Sequence, residues 1–147
     1  TLTAAGFEHY EVSNYALPGF RARHNASYWH GTKYLGIGPA AHSFDGEERH
    51  WNASSVEKYI AGAPAGKEVL TRRDRFNEYV MTALRTVEGI DLEEAAARFG
   101  AKRLARMQEE AAPFLRSGTL RIARGRMALP PEKFLISDAV IGALFET

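Results

Sequence analysis

Between Tyr10 and Ser43 the chain concentrates residues able to do chemistry. The aromatics are Tyr10, Tyr15, Phe20, Tyr28, Trp29 and Tyr34, the histidines His24, His30 and His42, and the glycines Gly19, Gly31, Gly36 and Gly38. Such a density belongs to a binding site or to a tightly folded core. His24-Asn25 followed by Tyr28-Trp29 gathers an imidazole, a carboxamide, a phenol and an indole in one short segment, a set suited to a flat aromatic or metal-centred ligand such as haem. The commoner reading of the same residues is a buried aromatic turn in which His24 and Asn25 satisfy backbone groups. Gly36-Ile37-Gly38-Pro39 is not a dinucleotide fingerprint, because Ala41 stands where a third glycine is usual. Its plain reading is a strand end packed too closely for side chains.

Other chemistries lack their residues. The five histidines lie between residues 9 and 50 with no HxH or HExxH spacing, so no metal site is expected. No serine sits in a GxSxG elbow. The pairs Glu47-Glu48, Glu93-Glu94 and Glu109-Glu110 are adjacent, so their members point apart and read as solvated. The absence of cysteine removes disulfides, thiolate metal sites and ligation of an iron-sulfur cluster by this chain.

The elements that must position the aromatic stretch come next. A chain of 147 residues, 45% apolar and 25% charged, reads as a soluble globular protein of one domain or two small ones. No apolar run reaches the ~20 residues of a membrane span, and TLTAAGFEHYE lacks the features of a signal peptide. The expected location is therefore the cytoplasm. Thr1 to Gly6 reads as the last turn of a helix, and so as the start of a fragment. Residues 7–15 read as one strand, 21–31 as an irregular loop and 34–39 as a short apolar run, with a hairpin about Asp45-Gly46. Ser54 is expected to cap a helix to about Ala61, and Ala61 to Gly66 to be a linker. Helical spacing then predicts helices over about 74–87, 91–99 and 104–115, the last kinked or split by Pro113. A hairpin about Arg124-Gly125 and a final helix capped by Ser137 follow, an order close to a winged helix.

Eight basic residues (Arg98, Lys102, Arg103, Arg106, Arg116, Arg121, Arg124, Arg126) face only Glu109 and Glu110 between positions 98 and 126. With a winged-helix order they would fit phosphate contacts, although a basic outer face on packed helices is the commoner cause. A nucleic-acid-binding or structural docking domain is thus the rival functional reading.

Tyr10-Glu11-Val12-Ser13-Asn14-Tyr15-Ala16, His24-Asn25-x-x-Tyr28-Trp29 and Tyr34-Leu35-Gly36-Ile37-Gly38-Pro39-Ala40-Ala41-His42-Ser43, in that order, resemble the second half of oxygen-independent coproporphyrinogen III oxidase-like radical SAM proteins. The HNxxYW element resembles their haem chaperone (HemW-like) branch. Arg49, Asn52, Glu78, Met81, Leu84-Arg85, Gly89-Ile90-Asp91, Phe99-Gly100 and Phe134-Leu135-Ile136-Ser137-Asp138 extend the likeness over nearly the whole chain. Departures are Ala40, where the family more often has glycine, and Leu129-Pro130, where Leu-Thr is more usual.

The resemblance implies an α/β (α+β) chain. Residues 1–62 would supply terminal strands of a partial radical SAM barrel, and 67–147 a helical, winged-helix-like C-terminal domain. It further implies S-adenosylmethionine and a [4Fe-4S] cluster in the full-length protein, held by a CxxxCxxC motif that this cysteine-free chain lacks, so that the chain alone is not catalytic. His24, Asn25, Tyr28 and Trp29 become candidate haem contacts. Gly36, Ile37, Gly38, Pro39 and Ala40 become a loop beside S-adenosylmethionine. Implied partners are the N-terminal radical SAM half, haem or a porphyrin, and haem-receiving proteins; nucleic acid and membrane are not favoured.

Overall fold

In the computed structural model, residues 1–23, 32–64 and 66–147 are described. A 3-10 turn, Thr3–Ala5, ends at Gly6 in the left-handed conformation, as expected for a helix end. The single strand expected over 7–15 is instead a hairpin of β1 (Glu8–Glu11) and β2 (Asn14–Ala16). The Glu11 carboxylate makes the turn: it accepts from the Ser13 N–H at 3.2 Å and from the Asn14 side-chain amide. His9 then stacks on Tyr15 with ring centroids 4.1 Å apart.

A second, three-stranded antiparallel sheet has the order β3–β4–β5, with β3 His42–Phe44, β4 Glu48–Trp51 and β5 Gly66–Val69. Asp45-Gly46 does turn β3 into β4. The Asp45 carboxylate accepts from the Glu47 and Glu48 N–H groups at 2.9 and 2.7 Å, and these bonds hold its pKa below the ordinary aspartate value. Of the run 34–39 only Tyr34 pairs, bridging Phe44. Helix α1, Val56–Ile60, is capped by Ser55 rather than Ser54, with the Ser55 Oγ accepting from Lys58 N–H at 3.2 Å. The expected linker is shorter than 61–66, because Gly66 already pairs with Trp51.

The remainder is the winged-helix-like unit. Helix α2 (Arg72–Leu84) starts two residues earlier than its apolar spacing suggests, since Thr71 and Asp74 form a reciprocal capping box: Thr71 Oγ1 accepts from Asp74 N–H and Asp74 Oδ2 from Thr71 N–H. Strand β6 (Ile90–Asp91), helix α3 (Leu92–Phe99) and helix α4 (Ala101–Arg116) follow. Pro113 neither splits nor ends α4. It lies in the last turn, and buried Met107 and Ala111 hold the helix to the core. Strands β7 (Arg121–Ala123) and β8 (Arg126–Ala128) form the wing, with positive φ at Arg124 and Gly125 as a two-residue hairpin turn requires. β8 also pairs with β6, giving the order β6–β8–β7. A 3-10 segment, Pro131–Ile136, leads into α5 (Ser137–Ala143); Ser137 is buried inside the helix and makes no side-chain cap.

The core runs through this unit. Phe76, Val80 and Leu84 of α2, Ile90 of β6, Met107 and Ala111 of α4, Leu120, Met127, Leu129 and Phe134, and Val140, Ile141 and Leu144 near the C-terminus are nearly inaccessible. The β1–β2 hairpin docks onto it: Val12 N–H donates to Arg85 O and Val87 N–H to Tyr10 O, while His9 meets Phe134 edge-on at 4.9 Å. The described strands close no barrel.

Candidate functional site

The loop over Gly36 to Ala40 is built by its neighbours. A Cβ at Gly36 would lie 2.0 Å from the His42 carbonyl oxygen, so the adjoining backbone demands a glycine there. The Gly36 N–H donates to Ser43 Oγ at 3.0 Å. Asn52, just past β4, donates from its amide to Gly38 O at 2.9 Å and to Gly36 O at 3.3 Å, and Tyr59 of α1 accepts from the Gly38 N–H at 3.2 Å. The loop is thereby fixed from two sides.

Ala40 has φ of 56°, which an added methyl makes costly, and its N–H donates to Ala53 O. Gly38 has φ of 112° and open space where a Cβ would be. Leu35 and Ile37 are 79% and 83% exposed. The loop therefore offers a fixed backbone edge and apolar side chains to whatever lies against it, but no acid, base or nucleophile. Gly38 and Ile37 leave open space beside the loop backbone, and no residue of this chain is a thiolate that could hold a cluster.

His24, Asn25, Tyr28 and Trp29 lie outside the described residues. Of the residues quoted beside them, Arg49 and Glu78 are brought together across 29 positions, with Arg49 donating to the Glu78 carboxylate at 2.5 Å. Burial works to lower the Arg49 pKa, but the hydrogen bond and charge of Glu78 outweigh it and raise the pKa above its already high value. This contact joins β4 to α2 at the edge of an open cleft of about 600 Å³. Sequence reasoning did not find the cleft. Its walls come from Tyr34, Phe44 and Arg49 on one side and Arg75, Tyr79 and Met81 on the other, and no local period connects the two.

Two other clusters resolve as structural. Asp45, Glu48 and His50 place ligand atoms within 4.8 Å of one another, but Asp45 is occupied with its turn and Glu48 with Lys67 at 3.4 Å. Most of the basic stretch is paired. Arg98 meets Glu94, Arg103 and Arg106 meet Glu146, Arg121 meets Glu132 and Arg126 meets Asp91. The local positive excess read from the sequence is therefore largely neutralised by acids from outside the stretch.

The fold defines the class: a winged-helix-like unit preceded by two small antiparallel sheets, one of which carries a pinned glycine loop. Residues 70–136 match the HemN C-terminal domain. The chain is 38% identical over 149 aligned residues to the haem chaperone HemW of Mycobacterium tuberculosis, which covers 97% of this chain and 36% of that protein. HemW of Lactococcus lactis is 36% identical over 102 residues, covering 67% of this chain and 27% of the relative. The coproporphyrinogen III oxidase HemN of Escherichia coli, described as a radical SAM enzyme, superposes with a TM-score of 0.72 at 17% identity, over 98% of this chain and 38% of that one. The chain belongs to the oxygen-independent coproporphyrinogen III oxidase-like radical SAM family, in its C-terminal part and on the HemW-like branch. It aligns with between 27% and 38% of the length of these relatives.

Proposed function

We propose that this chain is the C-terminal region of a radical SAM protein of haem metabolism, of the haem chaperone kind. The observation that carries the reading is the alignment with HemW over 97% of the chain. In the full-length protein S-adenosylmethionine and a [4Fe-4S] cluster would be held mainly by an N-terminal half, the partner of this chain. Residues 1–62 would complete that half and 67–147 would form the appended domain. The loop from Gly36 to Ala40 would lie beside S-adenosylmethionine, a role supported by the open space at Gly38 and the exposure of Ile37.

Haem would be held through His24, Asn25, Tyr28 and Trp29 and passed to a haem-receiving protein. We place the protein in the cytoplasm; no helix among the described residues is long and apolar enough to cross a membrane. The reading is tested by titrating haem into the full-length protein and its His24→Ala variant. A shifted Soret band and weakened binding in the variant are expected, and identical spectra and affinity would overturn it. Conversion of coproporphyrinogen III by the full-length protein would instead identify an oxidase.

A further inference from the structure

We propose that β7, the open edge of the wing, accepts an extended acidic segment of a partner protein as an added strand. The proposal goes beyond the haem reading, which rests on residues 24–29, and stands or falls without it.

The sheet order makes β7 an edge, because β8 lies between it and β6. Arg124 and Gly125 form a two-residue turn, so Ala123 and Arg126 are the hydrogen-bonded pair that closes the hairpin. The next pair, Ile122 and Met127, then exchanges no bonds, and the N–H and C=O of Ile122 point away from β8. Neither group has another backbone partner among the described residues. All three β7 residues are exposed, and Ile122 is 47% accessible beside buried Met127. An added strand pairs its backbone with Ile122 and covers that side chain with an apolar residue on the same face.

Charge decides which strand the edge takes. Arg116 ends α4 and Arg124 stands at the wing tip; both are exposed, and neither has an ion-pair partner among the described residues. The Leu120 N–H donates to Phe114 O, which keeps the start of β7 beside the last turn of α4 and so beside Arg116. Arg121 meets Glu132 at 3.4 Å, but these side chains are 66% and 60% exposed, and so open a pair is weak enough to yield to another acid. Along β7, Arg121 and Ala123 lie on the face opposite Ile122. A segment alternating acidic and apolar residues therefore sets acids toward Arg121, between Arg116 and Arg124, and an apolar side chain against Ile122. The single sign of these cations closes the edge to a second copy of itself, where like charges would meet. A nucleic acid would meet the cations but has no peptide backbone to pair with Ile122.

The test follows the anisotropy of a short labelled peptide alternating glutamate and valine, titrated with the full-length protein. Its controls are the same peptide N-methylated throughout, a version with lysine for glutamate, and a labelled DNA duplex. The acidic peptide is expected to bind at least about ten-fold more tightly than its N-methylated or lysine form, and more tightly than the duplex. Arg116→Gln combined with Arg124→Asn, asparagine being tolerant of the positive φ at that position, should weaken it about three- to ten-fold. Ile122→Pro removes only an outward-facing N–H and should bring the acidic peptide to the level of its N-methylated form. Lys58→Gln, an exposed change on α1, should bind as the unchanged protein does. No binding of the acidic peptide, equal binding of its N-methylated or lysine form, tighter binding of the duplex, or unchanged binding by the double arginine variant would overturn the proposal. The peptide comparisons decide it even where Ile122→Pro does not fold.

Discussion

Arg49 on β4 and Glu78 on α2 form the one ion pair, among the described residues, that ties the three-stranded sheet to the winged-helix-like unit. Their side chains are about a third exposed, 32% and 30%, so the pair is partly screened by solvent. Its coupling energy should be about 0.5–1 kcal/mol, the upper part of the range for accessible pairs. A double-mutant cycle of Arg49→Ala and Glu78→Ala, read by urea unfolding, measures it. The coupling should shrink at high salt; additive single effects would mean that the two units are held by other contacts.

This pair also shows what a sequence does and does not reveal. Turn and helix chemistry is local, so the Asp45-Gly46 hairpin, the wing about Arg124-Gly125 and the apolar stripe of Phe76, Val80 and Leu84 could be read directly. Strand β6 could not, because two residues, Ile90 and Asp91, carry no period and are strands only by pairing with Met127 and Arg126. Strand β5 was hidden for a similar reason: Gly66 belongs compositionally to the small-residue stretch before it, and pairing with Trp51 makes it a strand. The basic stretch showed more positive charge in the sequence than in the fold because its neutralising acids, Asp91, Glu94, Glu132 and Glu146, lie outside the counted window. At the site, the glycine loop was legible and its clamp by Asn52 and Tyr59 was not, since those bonds span 14 to 21 positions.

The two loop glycines should fail differently when substituted. Gly36→Ala drives a methyl into the His42 carbonyl, so β3 must move, at a cost of about 1–3 kcal/mol as for other overpacked sites. Gly38→Ala meets open space and is strained only by its φ of 112°, a backbone cost of similar order. Amide chemical shifts separate the causes. Changes should reach His42 and Ser43 for Gly36→Ala but stay within residues 36–41 for Gly38→Ala. Perturbation of β3 by both would refute the assignment.

Tyr79 should be the late-titrating tyrosine. Burial, reinforced by the nearby Glu94 carboxylate, pushes its phenol up to about 12. The raised value means that the folded state favours the neutral form. Its contribution to stability is complete below the unfolded tyrosine pKa of about 10 and declines as pH climbs toward 12. Absorbance at 295 nm should show a phase at the alkaline end that disappears in Tyr79→Phe. The same variant loses the bond from the Tyr79 hydroxyl to Asp91 O at 3.2 Å, and should be less stable by about 1 kcal/mol near neutral pH. A titration with no late phase would show the ring to be more open to solvent than it stands here.

Ala40 is where the sequence works against its own backbone. It holds a φ of 56°, a conformation that costs a residue with a Cβ roughly 1–2 kcal/mol, while its N–H bond to Ala53 O and the pinned carbonyls of Gly36 and Gly38 keep the loop from relaxing. Ala40→Gly should remove that strain. The gain is offset by the greater freedom of glycine in the unfolded chain, worth about 0.4–1 kcal/mol, so the net effect should be a stabilisation below about 1 kcal/mol. Ala40→Val, whose branched side chain tolerates positive φ least, should destabilise. A higher urea midpoint for the glycine variant and a lower one for the valine variant would establish that the loop's shape is imposed by Asn52, Tyr59 and Ala53 rather than chosen by residue 40. A glycine variant no more stable than the unchanged chain would mean that the loop relaxes away from the strained conformation.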